Sequence, residues 1–338
     1  MEKPVLSKKE QEKVHIVGGF AHPELTENIA SSIGVEPGSI QEKIFPNGEI
    51  YSRFEDSVRG RQVFIVQSHV RGAETGVNDA IMQQCLLIDA ARSSSAAGIT
   101  AIAPYLSYTR QDRKSKGREP IGTRVILDQL ATAGADRVIT VDIHSPQAQG
   151  IFRGPFDHLT AQPALRNAIA EDINGIDRDD CIVVAPDAGA AKMAQQHQEG
   201  LDVSMFIMSK RRDPNNSQNI SRDDHFPDAE GKHCLVFDDM IDTAGTLVSA
   251  AEALHNSGAQ SVRVAATHGI LSPPALERLQ AAPIDRIFIT DTFITDEAKE
   301  ALGDRLEVIS VAPIIGKAIL QIVRRGSISR LFKDQNHR

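Results

Sequence analysis

The chain has 338 residues, of which 41% are hydrophobic and 24% charged, and its formal net charge is -8 at pH 7. This length predicts two domains, and the composition is typical of a folded globular protein rather than a disordered chain. The acidic balance argues against a protein built to hold a nucleic-acid backbone, because that task needs a basic face.

Cysteine usage and the hydropathy pattern exclude further classes. The three cysteines, Cys85, Cys181 and Cys234, form no CxxC pair, which argues against a disulfide framework or a zinc site. The first residues are charged and lack the apolar core of a signal peptide. No apolar run approaches the roughly 18 residues that a membrane span needs. We therefore expect a cytoplasmic protein with reduced thiols and no membrane partner.

Short apolar runs alternate with segments of helical periodicity along the chain. We predict strands at Val14–Val17, Val63–Gln67, Ile99–Ala103, Val138–Val141, Cys181–Ala185, Val203–Ile207, Cys234–Phe237, Val262–Ala266, Ile287–Ile289 and Val308–Val311. We predict helices at Glu24–Ile33, Asn78–Ala97, Thr123–Ala133, Ala188–Glu199 and Ala244–Ser257. The strand runs are continuously apolar, which indicates strands buried on both faces. Their alternation with helices predicts an α/β fold with parallel sheets.

The strand–helix pattern runs through the chain twice, with a Pro- and Gly-containing stretch near residue 160 between the two halves. We therefore predict two doubly wound domains, residues 10–160 and 161–317, with a C-terminal segment of about 318–335 packing back on the first. Residues 210–232 interrupt the pattern because they are polar and without periodicity. A segment of that length suggests a lid, a binding loop or disorder.

The strongest chemical signal is the segment LVFDDMIDTAGT at residues 235–246. An apolar strand ends in the carboxylates Asp238 and Asp239, and a loop of small residues, 242–246, opens a helix. Paired carboxylates suit ribose hydroxyls or a hydrated Mg²⁺ ion, and a helix N-terminus favours a phosphate. The alternative from the residues alone is an ordinary strand-to-helix turn capped by an aspartate.

A local basic segment follows the third predicted strand. Five cations lie within nine residues, namely Arg110, Arg113, Lys114, Lys116 and Arg118. Such a density of charge can bind a polyphosphate through charge-assisted hydrogen bonds. It is also compatible with a solvated loop or with an RNA-binding patch.

Together these segments resemble a known family. Residues 235–246 are similar to the phosphoribosyl pyrophosphate-binding signature that type I phosphoribosyltransferases share with ribose-phosphate pyrophosphokinases. The letters RQDRK and REPI, within residues 110–121, resemble the ATP-binding stretch found only in the pyrophosphokinases. Further matching motifs follow in family order, so the resemblance to the ribose-phosphate pyrophosphokinase family covers roughly residues 14 to 332.

The resemblance implies Mg²⁺-dependent transfer of a pyrophosphoryl group from ATP to ribose 5-phosphate, and it implies a homo-oligomer that is built from dimers, with a hexamer as one form. It implies ATP binding by Phe45, Asn47, Glu49, Arg110, Gln111 and Asp112, the first three reaching a neighbouring subunit's site. It implies ribose 5-phosphate binding by Asp238, Asp239, Asp242, Thr243, Ala244, Gly245 and Thr246. It also implies Mg²⁺ binding by His144 and Asp187, catalysis by Lys210 and Arg212, and an allosteric phosphate site at Ser57 and Arg59.

Three other functions stay open at this point. A type I phosphoribosyltransferase would lack the ATP site, a non-catalytic regulatory subunit would lack turnover, and an RNA-binding module would use the basic segment. The sequence also departs from the family pattern at Ala190, where a second glycine is common, and in the polar residues 217–230. Pro146 stands where the family's allosteric site often has a small polar residue.

Overall fold

The structure of the chain is a computed structural model that describes residues 5–72, 75–208 and 225–332. The chain divides into two compact units. Unit 1 contains the described residues up to Thr160 and those from Val311 onward, and unit 2 contains those of Ala161–Ser310. Within these described ranges, no helix is both long and apolar enough to cross a membrane.

Parallel strands and helices alternate through both units. The strands are β1 (Val14–Gly18), β2 (Ile40–Ile44), β3 (Ile50–Phe54), β4 (Gln62–Val66), β5 (Gly98–Ala103), β6 (Arg137–Val141), β7 (Phe156–Leu159), β8 (Cys181–Ala185), β9 (Ser204–Ile207), β10 (His233–Ile241), β11 (Ser261–Gly269), β12 (Arg286–Thr290) and β13 (Leu306–Ile309). The helices are α1 (Lys8–Gln11), α2 (Pro23–Ile33), α3 (Val77–Ser93), α4 (Gly122–Ala133), α5 (Gln162–Asp172), α6 (Ala191–Leu201), α7 (Gly245–Asn256), α8 (Ala275–Ala281), α9 (Asp296–Leu302) and α10 (Ala312–Val323).

Unit 1 is built on a parallel sheet with the strand order β1-β4-β5-β6-β7. Helices α3 and α4 cover one face, where Ile65, Leu87 and Leu127 share a core. Phe64 is fully buried and, as the neighbour of Ile65 on the strand, points to the other face, so the sheet is covered on both sides. Strands β2 and β3 form an antiparallel hairpin, and α10 returns from the end of the chain to contact α2.

Unit 2 is built on a parallel sheet with the strand order β13-β12-β11-β10-β8-β9. The central strand β10 is apolar on both faces. Cys234 and Val236 pack with α7 and α8, whereas Leu235 and Phe237 pack with α5 and α6. Helices therefore lie on both faces of this sheet, and the predicted α/β class is confirmed.

Several predicted elements have different ends in the structure. The strand predicted to stop at Phe237 continues to Ile241, because Asp238 and Met240 go on pairing with β11. The helix predicted from Ala188 begins at Ala191, and the helix predicted to reach Ala97 ends at Ser93. The last predicted strand lies at Leu306–Ile309, since Val311 already caps α10.

The prediction missed strands β2, β3 and β7 and helices α1, α5, α8, α9 and α10. The strands β2 and β3 are polar and half exposed, and they therefore lack the apolar run used to identify buried strands. Helices α1, α8 and α9 are short, so their periodicity covers two turns at most.

Candidate functional site

The strand order of unit 2 reverses between β8 and β10. From β8 the chain runs outward to β9, and it then returns to form β10 on the other side of β8. The helices that follow these two strands, α6 and α7, pack on opposite faces of the sheet. In an open parallel sheet, such a reversal leaves a crevice at the carboxyl ends of the strands, where ligands bind. Asp187 and Asp238 lie at this end of β8 and β10.

Asp187 closes a tight turn with its own side chain. Its Oδ1 atom accepts hydrogen bonds from the backbone N–H groups of Gly189 at 2.8 Å and Ala190 at 3.1 Å. This Asx turn fixes the carboxylate and delays the start of α6 to Ala191. Ala190 has a right-handed helical backbone and packs against the core of unit 2, so its methyl group is accommodated by the fold.

Asp238 and Asp239 form a carboxylate pair within β10. Asp238 Oδ1 accepts a hydrogen bond from the N–H group of Asp239 at 2.8 Å. Burial, together with the neighbouring carboxylates of Asp239 and Asp187, raises the pKa of Asp238 to about 7. The three acidic residues therefore lie close enough to disfavour one another's charge. A carboxyl group with a raised pKa in a crevice marks a candidate binding or catalytic site, because a bound cation or hydroxyl donor stabilises its charged form.

The loop at residues 242–246 leads directly into α7. Ala244 adopts the left-handed conformation with φ 59°, and α7 begins at Gly245 without a side-chain cap. The first N–H groups of a helix have no partner within the helix, and they carry the positive end of its dipole. Thr243 and Thr246 are exposed beside them. This geometry suits a phosphate group.

An arginine that the sequence interpretation missed contacts this loop. Arg278 Nη1, on α8, donates a hydrogen bond to the carbonyl oxygen of Thr243 at 2.9 Å. The same nitrogen lies 3.3 Å from the position that a Cβ atom on Gly245 would occupy. Arg278 follows Thr243 by 35 residues along the chain, and the sequence around neither residue indicates that the two are in contact.

In unit 1, some of the residues predicted to bind ATP lie close to the residue predicted to bind Mg²⁺. Asp112 Oδ2 accepts a hydrogen bond from Ser145 Oγ at 2.6 Å, and Ser145 directly follows the exposed His144. Gln111 donates its backbone N–H group to the carbonyl oxygen of Tyr108 at 2.9 Å. Arg110 precedes it at an exposed position. The carboxyl end of β6 and the basic segment therefore share one surface of this unit.

His158 holds the turn that carries His144. Its Nε2 atom accepts a hydrogen bond from the N–H group of Ile143 at 3.0 Å. Burial lowers the pKa of His158, while the neighbouring Asp142 opposes that shift. Asp142 itself has a φ of 36°, so the turn is sharply bent where β6 ends. The sequence interpretation missed His158, because the contact spans two strands.

The other predicted ATP residues, Phe45, Asn47 and Glu49, lie on the loop of the β2–β3 hairpin. Asn47 Oδ1 accepts a hydrogen bond from the N–H group of Glu49 at 3.2 Å. Phe45 is 37% exposed, and Lys43 Nζ lies 4.8 Å from its ring centre. The hairpin thus presents an aromatic ring and polar groups at the surface of unit 1.

The remaining predicted residues are dispersed or lie outside the described part. Ser57 and Arg59 are exposed on the segment between β3 and β4, and Pro146 begins a short 3₁₀ helix. Lys210 and Arg212 lie outside the described residues.

The carboxylates of unit 2 fit one mode of Mg²⁺ binding. Among the described residues, no group of three or more His, Cys, Asp or Glu side chains is arranged to hold a metal ion. Mg²⁺ usually keeps several waters and is held by one or two carboxylates together with substrate phosphates. The fixed carboxylate of Asp187, with Asp238 nearby, fits that partial donor set.

Comparison with known proteins gives a consistent set of relatives. Residues 14–134 match the N-terminal domain of ribose phosphate pyrophosphokinase, and residues 224–333 match the phosphoribosyl synthetase-associated domain. The ribose-phosphate pyrophosphokinase of Streptomyces avermitilis is 42% identical over 96% of this chain and 98% of that protein. The protein of the same name from Corynebacterium glutamicum is 41% identical over 97% and 98%. The crystal structure of phosphoribosylpyrophosphate synthetase from Mycobacterium smegmatis has a TM-score of 0.82 and 38% identity, covering 93% of this chain and 100% of that one.

Proposed function

The chain belongs to the ribose-phosphate pyrophosphokinase family, and we propose that it transfers the pyrophosphoryl group of ATP to the C1 hydroxyl of ribose 5-phosphate. The products are 5-phospho-α-D-ribose 1-diphosphate and AMP. The first product is an activated ribose, so the reaction supplies nucleotide synthesis. One observation supports this function best. At the strand-order reversal of unit 2, a half-buried carboxylate pair lies on β10, and an uncapped helix N-terminus follows it.

Unit 2 supplies the groups that a pentose phosphate needs. We propose that Asp238 and Asp239 accept hydrogen bonds from the ribose hydroxyls, since hydroxyl donors stabilise closely spaced carboxylates. Residues Asp242 to Thr246 bind the 5-phosphate through the backbone N–H groups at the start of α7. Together these contacts hold the C1 hydroxyl in one orientation for attack.

Unit 1 supplies the nucleotide contacts in this proposal. Arg110, Gln111 and Asp112 bind ATP from the segment before α4, and Ser145 holds the carboxylate of Asp112 in place. Phe45 contributes a ring that stacks on adenine in a neighbouring subunit's ATP site, while Asn47 and Glu49 make polar contacts there from the same hairpin loop. The residues of this unit orient the β-phosphorus of ATP for in-line attack.

As the family resemblance implies, His144 of unit 1 and Asp187 of unit 2 would each serve as a Mg²⁺ ligand, and bound Mg²⁺ would supply neutralisation of charge on the transferred pyrophosphoryl group. The C1 oxygen then bonds to the β-phosphorus and releases its hydroxyl proton to solvent, the bond between the β-phosphorus and the bridging oxygen breaks, and AMP leaves with that oxygen. Lys210 and Arg212 stabilise the negative charge that grows on the leaving oxygen.

Replacing Lys210 or Arg212 by alanine tests the catalytic assignment. We expect each variant to lower kcat by about a hundredfold or more, with a much smaller change in KM, because the contacts strengthen in the transition state. Steady-state kinetics with varied ATP and varied ribose 5-phosphate measure both parameters. A near-normal kcat in both variants would contradict the assignment.

The function itself is tested with the purified full-length chain, ATP, ribose 5-phosphate and Mg²⁺. AMP should form only when the sugar phosphate is present. A type I phosphoribosyltransferase would not consume ATP, and a non-catalytic regulatory subunit would bind both compounds without forming AMP. An RNA-binding module would instead lose RNA affinity steeply with added salt.

We also propose a dimer-based homo-oligomer, of which a hexamer is one form, in the cytoplasm. The hairpin supports this proposal because Ile44, Phe45 and Tyr51 are 41%, 37% and 38% exposed on it. Clustered apolar surface of this kind commonly marks an interface between chains. Ser57 and Arg59, on the segment that follows this hairpin, are proposed to bind an allosteric phosphate. Light scattering of the purified protein measures the oligomer size, and a monomer would contradict the proposal.

A further inference from the structure

Arg278 occupies an electrostatically unusual place. Its Nη1 atom bonds to the Thr243 carbonyl at 2.9 Å and lies 3.3 Å from the site of a Cβ on Gly245, the first residue of α7. The guanidinium is therefore at the positive end of a helix of 12 residues. A cation at that end of a helix is electrostatically unfavourable.

No carboxylate forms an ion pair with Arg278 in the part of the chain that the structure describes. Its exposed side chain makes one hydrogen bond there, to the neutral carbonyl of Thr243. Two other arginines of unit 2 do pair with carboxylates, Arg263 with Asp172 and Arg286 with Glu307. An arginine has five N–H donors in a planar fork, so one bond to a carbonyl leaves most of its donors for another acceptor.

The hydrogen bond also bears on the shape of the loop. Ala244 has a left-handed backbone, which is unfavourable for a residue with a Cβ atom. The carbonyl held by Arg278 belongs to the residue immediately before it. Fixing that carbonyl restrains the peptide that joins Thr243 to Ala244, and thereby the entry into α7.

We propose that Arg278 is a binding residue for the 5-phosphate of the pentose substrate and that it also positions the phosphate loop. The guanidinium supplies positive charge to a phosphate at the start of α7, and the phosphate in turn removes the unfavourable contact between the cation and the helix dipole. This inference rests on the proposed function, because it names a further group of the same site.

The test compares substitutions of Arg278 with a matched arginine. Arg278→Met should raise the KM for ribose 5-phosphate by about tenfold to a hundredfold, as expected for a lost charged hydrogen bond. The KM for ATP and kcat should change by about twofold at most, because the contact is made equally in the ground and transition states. Arg278→Lys, which keeps the charge, should recover more of the affinity than Arg278→Gln, which keeps only donors.

Arg305→Met is the control variant. Arg305 also donates to backbone carbonyls of unit 2, those of Ile284 and Gln280 at 3.4 Å each, but away from residues 242–246. Its kinetics should match the wild type. A second measurement, calorimetric titration of ribose 5-phosphate without ATP, should show the same order of affinities: wild type and Arg305→Met, then Arg278→Lys, then Arg278→Met.

The outcomes separate the two proposals. If the wild type forms no AMP in the presence of ribose 5-phosphate, the proposed function fails and the role of Arg278 fails with it. If the wild type is active and Arg278→Met has an unchanged KM for ribose 5-phosphate, only the inference on Arg278 is overturned. An equal rise in the KM for ATP, or equal losses in the Lys and Gln variants, would also overturn it, because either result indicates general damage to the loop. If the Met variant fails to fold, the Lys and Gln variants decide the question.

Discussion

At the scale of single residues, the site of unit 2 trades stability for binding. Asp238 lies half-buried beside Asp239 and near Asp187, and its pKa rises to about 7. The folded protein therefore disfavours the charged form of this carboxyl group at neutral pH. A fold selected for stability alone would avoid such a cluster, whereas a site for hydroxyl groups and cations needs it.

Asp238→Asn tests this trade. We expect the free energy of unfolding to rise by about 1 kcal/mol at pH 8, because the variant removes a buried charge from between like charges. The kcat/KM for ribose 5-phosphate should fall by about tenfold to a hundredfold, since a charged acceptor is lost. Denaturant unfolding and steady-state kinetics measure the two effects.

Asp285→Asn is the matched control for that variant. Asp285 Oδ2 accepts a hydrogen bond from the N–H group of Val262 at 2.8 Å, so its carboxylate has a structural role in the same unit. This variant should keep full activity and gain no stability. A loss of stability in Asp238→Asn would contradict the account of the carboxylate pair.

At the scale of elements, a buried polar chain crosses one face of the unit 2 sheet. The ring of His197, on α6, stacks on Phe237 of β10 with the ring centres 3.5 Å apart. Its Nε2 atom lies 2.8 Å from Oε1 of Gln162, whose amide nitrogen donates to Thr267 Oγ1 at 3.0 Å. These contacts join α5, α6, β10 and β11 directly below the carboxylate pair, so they stiffen the support of the site.

The buried histidine in this group of polar side chains makes the stability of the protein sensitive to acid. Burial lowers the pKa of His197 to about 3, with the charge of Arg166 acting in the same direction. The unfolded chain binds a proton at His197 below pH 6.5, whereas the folded protein does not, so the stabilisation is complete above that pH and falls as the pH falls.

Replacing His197 by glutamine should therefore flatten the acid side of the stability curve. Between pH 7 and pH 5, we expect the unfolding free energy of the wild type to fall by about 2 kcal/mol more than that of the variant. His69→Gln should behave alike, because burial lowers the pKa of His69 to about 4. Urea unfolding at several pH values measures the difference, and parallel curves for wild type and variants would refute it.

At the scale of the whole molecule, early and late segments of the described chain meet in unit 1. Helix α10 contacts α2, and Arg324 donates to Glu10 at 3.0 Å and to the carbonyl oxygen of Val5 at 2.9 Å. Unit 1 is therefore discontinuous in sequence, and it is complete only after residues 161–310 have been synthesised. Its stability depends on contacts between residues that are 314 and 319 positions apart in the sequence.

Gly316→Val probes that contact. A Cβ atom at Gly316 would lie 2.1 Å from Ser32 Oγ and 2.9 Å from Ile33 Cγ2, so any side chain forces α10 away from α2. We expect a loss of about 1–3 kcal/mol in the unfolding free energy. Gly150→Val is the control, because no atom lies within 4 Å of a Cβ atom there. Equal thermal unfolding curves for the two variants would argue against close packing of the helices.

The sequence by itself determined the α/β class and the position of most buried strands. These features are local, because an apolar run such as residues 181–185 must be buried wherever the chain places it. The motif at 235–246 likewise indicated carboxylates followed by a phosphate-type loop, since both lie within 12 consecutive residues. The family resemblance added the expected roles of these residues.

Only the tertiary structure decided which distant groups support the site. The sheet order brings Asp187 to Asp238, α8 brings Arg278 to Thr243, and the pairing of β7 with β6 brings His158 to Ile143. None of these pairs follows from periodicity, because periodicity describes which face of an element is buried and not which element covers it. The order of the strands is set by the combined packing of all the elements, so these contacts could not be read from any one segment.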